Sequence, residues 1–416
     1  MRGMRILVLH EYNRSYGGGE QYLHDTCAAL REMGHRIALV CVEEWNGGFI
    51  PSDQTYGVAH SVGLRMGLRL WPEYESILQR EQPHVVYING ILRHFVSPLI
   101  LGRVIQRCPS VLFVHHSGLF CHNAMKVLAT SQRRCEWPLG FHCFQEGCVS
   151  ALEGSAYARL RTAVLGMWRA RALRGCRRVI APSQYVSREL VWNGFPPGRV
   201  RVLPSFTCRT PVHPVGAEGP QILWVGRADG GKGLDQFLRC LTMLRGVAWQ
   251  AIIVGDGTAT PQVQAMAMET GVADRVRCVG RLEGAVLDRE YAAARVVVFT
   301  SQWAETFGQV GIEAMAFGKP VVAFDVGGVR EWLADGRTGY VVDRDDLPGM
   351  TDRLSRLLAD DELCARMGAA GRAAVESRFR NRHHVPALLE IFREAIRAPG
   401  SGPAEAAPAD RAAAGN

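Results

Sequence analysis

The sequence predicts an α/β protein of two Rossmann-like domains, each built on a parallel sheet. Three observations predict it. The chain has 416 residues, more than one hydrophobic core usually supports, so two domains are the default. Short, wholly apolar runs at 6–9 (ILVL), 111–114 (VLFV) and 296–299 (VVVF) suit strands buried on both faces, as parallel strands are. A strand-turn-helix pattern begins near residue 5 and starts again at Gln221, after a stretch from Ser205 to Pro220 that holds prolines at 211, 214 and 220 and reads as a linker.

Composition agrees. With 47% hydrophobic and 21% charged residues the chain is expected to be soluble and globular. No apolar run approaches the roughly 18 residues that cross a bilayer, and 6–9 is too short for a signal-peptide core, so a cytoplasmic location is expected. The net charge of +8 is uneven: residues 1–205 hold 24 Lys plus Arg against 14 Asp plus Glu, and the remainder 24 against 26. A basic half suits an anionic partner such as a membrane surface or a phosphorylated lipid acceptor, whereas no module for reading nucleic acid accompanies the charge. Seven arginines fall between Arg159 and Arg178 with no acid among them. Leu160, Val164 and Trp168 share that helix without a clean segregation of faces, so an ordinary part-exposed helix and a membrane contact both stay open.

Taken in order, 5–9 is a strand, followed by a loop ending Gly17-Gly-Gly-Glu20 and a helix from Tyr22 to Met33. The three glycines let backbone approach a ligand and present amides at a helix start. Gly34 stops the helix and 35–40 reads as the second strand. Segment 41–75 reads as loops that help build an acceptor pocket. Strand 111–114 delivers His115 and His116 to its C-terminal end, where open α/β sheets place ligands. Cys121, Cys135, Cys143 and Cys148 then fall within 28 residues, together with His122 and His142. Their spacing does not match a paired Cys-x2-Cys zinc site, so reduced structural thiols are preferred over a metal or a disulfide.

In the second half, 221–225 is a strand, and Leu234, Phe237, Leu238, Leu241 and Leu244 have helical spacing. Between them, Gly226-x4-Gly231-Lys232 imitates a phosphate-binding loop, but Gly233 stands where a magnesium-binding Ser or Thr belongs, which excludes an ATPase reading. Two cations beside a flexible turn survive, Arg227 and Lys232, suited to a diphosphate. Gly255-Asp-Gly257 and Val279-Gly280-Arg281 follow two further strands. Strand 296–299 leads to Glu305 in a loop and Glu313 two turns into the next helix, whose buried face carries Val310, Ile312, Met315 and Ala316. The free amides of that helix, from Phe307 to Gln309, can hold phosphate or sugar oxygens, and a carboxylate suits a sugar diol. From Pro399 to Asn416 the chain is too poor in large apolar residues to order itself.

Glu305-x7-Glu313 with Phe307-Gly308 inside it, followed by Gly318-Lys-Pro-Val-Val322, Gly327-Gly328, Glu331 and Asp335-Gly336-x-Thr338-Gly339, resembles the donor-binding half of the retaining family 4 glycosyltransferases. The likeness runs from Met4 to about residue 385. It implies the GT-B fold, in which the two Rossmann-like domains face a central cleft, with residues 1–205 as the acceptor-side domain, 206–385 as the nucleotide-sugar donor domain, a helix at 386–397 that crosses back to the first domain, and a tail at 398–416. It implies catalytic roles for His115, Glu305, Arg227 and Lys232. Donor contacts are implied for Gly17, Gly18, Gly280, Arg281, Phe307, Gly308 and Glu313. Glu305 would hold sugar hydroxyls, Glu313 the ribose diol and His115 the sugar or its phosphate; His116 receives no role. No cofactor or metal is implied, and no Asp-x-Asp pair is expected to hold one. The expected donor is a UDP-, GDP- or similar nucleotide sugar, and the acceptor a glycan, a lipid-linked molecule or a small molecule. An epimerase or hydrolase of the same fold, and a non-catalytic nucleotide-sugar binder, are the alternatives.

Overall fold

The computed structural model describes residues 3–398 apart from Tyr16, 61–63, 91–95, Glu153 and 213–218. The expected tail lies almost wholly outside the described residues. The first half forms a seven-stranded parallel sheet from β1 (Arg5–Leu9), β2 (Arg36–Val42), β3 (Gln54–Val58), β4 (Val85–Asn89), β5 (Ser110–Phe113), β6 (Arg178–Ala181) and β7 (Val200–Val202), in the order 3-2-1-4-5-6-7. The second half forms a six-stranded parallel sheet from β8 (Gln221–Val225), β9 (Gln250–Val254), β10 (Val276–Gly280), β11 (Val296–Phe299), β12 (Val321–Phe324) and β13 (Gly339–Val342), in the order 10-9-8-11-12-13. Both orders reverse direction beside their first strand, between β1 and β4 and between β8 and β11. Ligands of open α/β sheets bind in the crevice at that point.

Successive side chains of a strand face opposite ways, and the first domain divides its core accordingly. Leu7, Leu9 and Val40 enter one apolar layer; Ile6, Val8 and Leu39 enter the other. The second layer is completed from the far end of the chain. Helix Asn381–Arg397 buries Val385, Leu388, Leu389 and Phe392 among Tyr22, Tyr87 and Phe113, and its Glu394 accepts from Arg178 at 2.7 Å.

Two local expectations need correction. The first helix runs Gly18–Glu32, so Gly18, Gly19 and Glu20 form its first turn and Gly17 is its N-cap. Segment 41–75 is not mainly loop: β2 extends to Val42, β3 follows, and helix Leu64–Glu81 begins within it. The linker is anchored where it begins. Phe206 is buried in the first domain's core, and the Thr207 amide donates to the Phe379 carbonyl at 2.9 Å, so the two chain crossings between domains lie side by side.

Candidate active site

In the second domain the site is assembled by close backbone packing. The loop after β8 lies against the loop after β11, and glycines permit the approach. A Cβ on Gly231 would stand 1.6 Å from the Trp303 ring, and one on Gly233, whose φ is +67°, 1.9 Å from the Thr300 carbonyl oxygen. This contact brings Lys232 to Glu305. The Lys232 Nζ and the Ser301 Oγ each donate to Glu305 Oε1 at 2.6 Å. The Glu305 backbone is held from the other side, where the Gly328 amide donates to its carbonyl at 2.7 Å and Gly327 (φ +58°) leaves no room for a side chain. Gly327-Gly328 therefore acts as a backrest for Glu305.

Gly308 caps helix Gln309–Ala316 in a left-handed conformation (φ +95°). Gly18, at the start of the first domain's helix, lies close enough that an added Cβ would touch Gln309 at 3.5 Å. Two helix N-termini, one from each domain, thus meet across the cleft. Each carries the positive end of a helix dipole and first-turn amides without intrahelical acceptors, which suits an anion between them, although the Glu20 carboxylate already takes the Gly17 and Glu20 amides of the first.

The His115 segment joins this junction. Thr306 Oγ1 donates to the His115 carbonyl at 2.8 Å, and Ser117 Oγ donates to the Ala304 carbonyl at 3.2 Å. His115 Nε2 is covered and makes no hydrogen bond, and Gly19 approaches the ring on one side. Burial, with His10, His116 and His384 nearby, pushes the His115 pKa down to about 3, so the ring is neutral near pH 7. His116 points elsewhere: its Nδ1 accepts from the Gly118 amide at 2.9 Å.

The other expected residues divide. Arg281 spans the cleft, donating to Asp256 at 2.9 Å and to Ser15 of the first domain at 3.0 Å. It starts from Gly280, which is left-handed (φ +73°) and accepts from the Gly255 amide at 2.8 Å. Arg227 pairs with Asp229 at 3.0 Å and lies beside the Trp303 ring, which also flanks Lys232. The Phe307 side chain is in the core against Phe379, and its carbonyl accepts from Trp332, so only its backbone amide faces a ligand role. Glu313 is already engaged, with Arg209 at 3.2 Å on one oxygen and the Tyr291 hydroxyl at 2.8 Å on the other. Burial works against the Arg209 guanidinium, but Glu313, Tyr291 and Asp288 outweigh it and raise its pKa. Each Glu313 oxygen keeps a further lone pair for a hydroxyl.

Sequence reasoning missed several residues. His10 stands just beyond β1, where its Nδ1 meets the Asn89 carbonyl at 2.7 Å and its Nε2 meets Glu20 at 3.3 Å. Burial disfavours the Glu20 carboxylate, but the bond and charge of His10, together with the Glu20 and Gly17 amides, outweigh burial and hold its pKa below the usual range. The signal for His10 was available, since it follows an apolar strand as His115 does. Arg209 and Trp303 carried no comparable signal. Contrary to expectation the chain contains an Asp-x-Asp triplet, Asp343-Arg344-Asp345, where Arg344 pairs with Asp345 at 3.2 Å. Among the described residues no three His, Cys, Asp or Glu side chains are grouped to hold a metal. All twelve cysteines are free thiols, and burial pushes Cys121 up to about 11.

Two family models match the chain in succession: Glycosyltransferase Family 4 over residues 16–207 and Glycosyl transferases group 1 over residues 211–374. The chain belongs to the GT-B, family 4-like glycosyltransferases. Among curated relatives, the alpha-D-kanosaminyltransferase of Streptomyces kanamyceticus is 33% identical over 177 residues, 42% of this chain and 46% of that protein. A D-inositol 3-phosphate glycosyltransferase of Xylanimonas cellulosilytica is 37% identical over 183 residues, 43% of each chain. The chain thus spans about half the length of the curated relatives it matches. Among solved structures, Anabaena HepE in complex with UDP and glucose superposes with a TM-score of 0.66 at 20% identity, covering 94% of this chain and 99% of that one. At that identity the likeness extends to the GT-B fold alone.

Proposed function

We propose that the protein is a retaining glycosyltransferase that moves a sugar from a nucleoside diphosphate sugar to a glycan, lipid-linked or small-molecule acceptor, without a metal. The observation that carries this reading is the meeting of the Gly18 and Gln309 helix starts beside the Lys232–Glu305 pair. Those amides, with Lys232 and Arg227, suit a diphosphate and supply positive potential where a leaving group gains charge. HepE's complex with UDP and glucose supports a nucleotide-sugar ligand for this architecture.

In the proposed reaction the bond from the donor's anomeric carbon to its phosphate oxygen breaks, and the electron pair leaves with the diphosphate. The acceptor oxygen bonds to the same face of that carbon, and its proton passes to the departing phosphate oxygen. Glu305 orients donor hydroxyls, Glu313 the ribose diol, Arg281 the base side, and neutral His115 offers Nε2 to the sugar or its phosphate. Because Glu305 already holds Lys232, one side chain links the sugar's position to the charge that receives its leaving group.

Transfer assays with UDP- and GDP-sugars, each with EDTA, test the reading, with the product anomer assigned by NMR. Retention that survives EDTA is expected. Inversion, or metal dependence, would overturn the mechanism; turnover of the donor alone, with no acceptor, would assign the site to an epimerase or hydrolase.

A further inference from the structure

Helix Ala156–Leu173 packs one face on the first domain and leaves the opposite face bare. Inward, Ala163, Ala170 and Leu173 are buried, and Gly166 lets the segment after His115 approach, with His122 3.6 Å from where a Cβ would stand. Outward, Tyr157, Leu160, Val164 and Trp168 are 75%, 50%, 48% and 37% exposed. At 3.6 residues per turn these four, with the exposed Arg161 and Arg171, fall within an arc of about 100°. The segregation of faces that the sequence hides is therefore present, because the inward face is filled by small residues and a buried arginine.

We propose that this face docks on an anionic lipid surface. A continuous apolar stripe on the outside of a soluble domain marks an interaction site. Its chemistry selects the partner. Tyr and Trp stand at the two ends of the stripe, residues whose amphipathic rings favour the headgroup level, and Leu and Val lie between them. Arg161 and Arg171 lie among the apolar side chains, where long stems can reach outward to phosphates while the stripe sinks in. No acidic residue occurs from Gly154 to Arg188, and residues 1–205 carry a ten-charge excess of Lys and Arg, so the complementary charge is negative. The arginine count alone would mislead: Arg159 donates to the Ser150 and Gly154 carbonyls, Arg169 is buried, and Arg178 is paired with Glu394. The opposite face of the same helix touches the segment that follows His115, so the docked surface lies on the acceptor side of the cleft. The proposal holds whether or not the cleft transfers a sugar, and its test reads binding alone.

The test is co-sedimentation of the full chain with vesicles of phosphatidylcholine containing one-third phosphatidylglycerol, against phosphatidylcholine alone, at low and high salt. Binding to the anionic vesicles is expected to be roughly tenfold tighter or more, and to weaken with salt. Replacing both apolar centres (Leu160→Asp with Val164→Asp) should lower binding to either vesicle by roughly tenfold or more. The pair Arg161→Gln with Arg171→Gln should mainly erase the preference for anionic lipid. Melting curves of both variants should match the parent, since the replaced side chains are exposed. Equal binding by parent and variants, or no binding to the anionic vesicles, would overturn the proposal. So would self-association in sedimentation velocity that Leu160→Asp with Val164→Asp abolishes, because the face would then belong to a second copy.

Discussion

The two domains share a strand order and build their halves of the cleft by different means. In the second, Glu305 and Lys232 are positioned by glycine-lined loops pressed together, and the residues involved lie in short contiguous motifs. In the first, His115 rests on a buried side-chain cluster gathered from distant segments. Tyr22 meets His115 edge-on at 4.9 Å between ring centres, donates or accepts at the Tyr87 hydroxyl (3.1 Å), and bonds His384 of the last helix at 2.7 Å. The lesson is that backbone-packed sites leave a local sequence signature and side-chain-packed ones do not.

The contrast is sharpest at the carboxylate. Glu305→Ala removes the acceptor for Lys232 and the proposed sugar contact together, and a fall in kcat of about 10²–10³-fold is expected with little change in melting temperature. Full activity would detach Glu305 from the site. Next comes the packing beneath it: Gly231→Ala forces a methyl into the Trp303 ring and should cost about 1–3 kcal/mol in denaturant unfolding, with loss of donor binding. A silent Gly231→Ala would show that the two loops are not held in contact. Arg209→Met leaves Glu313 and Asp288 without their shared cation and should cost about 1–3 kcal/mol and raise KM for the donor more than it lowers kcat.

The first domain should instead betray itself by pH. His115 and His384 are held neutral by burial, down to about 3 and about 4, whereas in the unfolded chain they protonate near 6.5. Between those values the unfolded state binds more protons, so stability falls on acidification from about pH 6.5. Each ring contributes up to about 1.4 kcal/mol per pH unit in that window. His384→Gln should flatten the acid limb of stability against pH; an unchanged profile would remove His384 from the account. Smallest of all, Tyr22→Phe should cost about 0.5–1.5 kcal/mol and leave second-domain nucleotide binding untouched.

The same distinction explains what could be read from the chain. Strands 6–9, 111–114 and 296–299 were legible because burial on both faces demands uninterrupted apolar runs. Gly231, Gly233 and Gly327 were visible as members of glycine-bearing motifs, but the first two read as a flexible turn, and only the packing shows that nothing but glycine tolerates their contacts or positive φ. By contrast, β3 (QTYGV) is a part-exposed edge strand with little apolar pattern, and 41–75 read as loop. Arg209 looked like one charge in a proline-bearing linker, since nothing local shows that it reaches Glu313. Phe307 sat inside a motif and so read as a ligand contact, although its ring is core. Arginines scattered around helix Ala156–Leu173 masked its faces until Arg169 proved to be buried.

The last helix has one more consequence, for the order of events at the ribosome. The first domain emerges first, yet the apolar layer around Tyr22, Tyr87 and Phe113 waits for Val385, Leu388 and Phe392, which are made after the entire second domain. Domains generally fold as they emerge, N-terminal first. Here the earliest domain to appear is the last to be finished, and a chain cut short before residue 381 would carry a complete second domain beside a first one with an open seam.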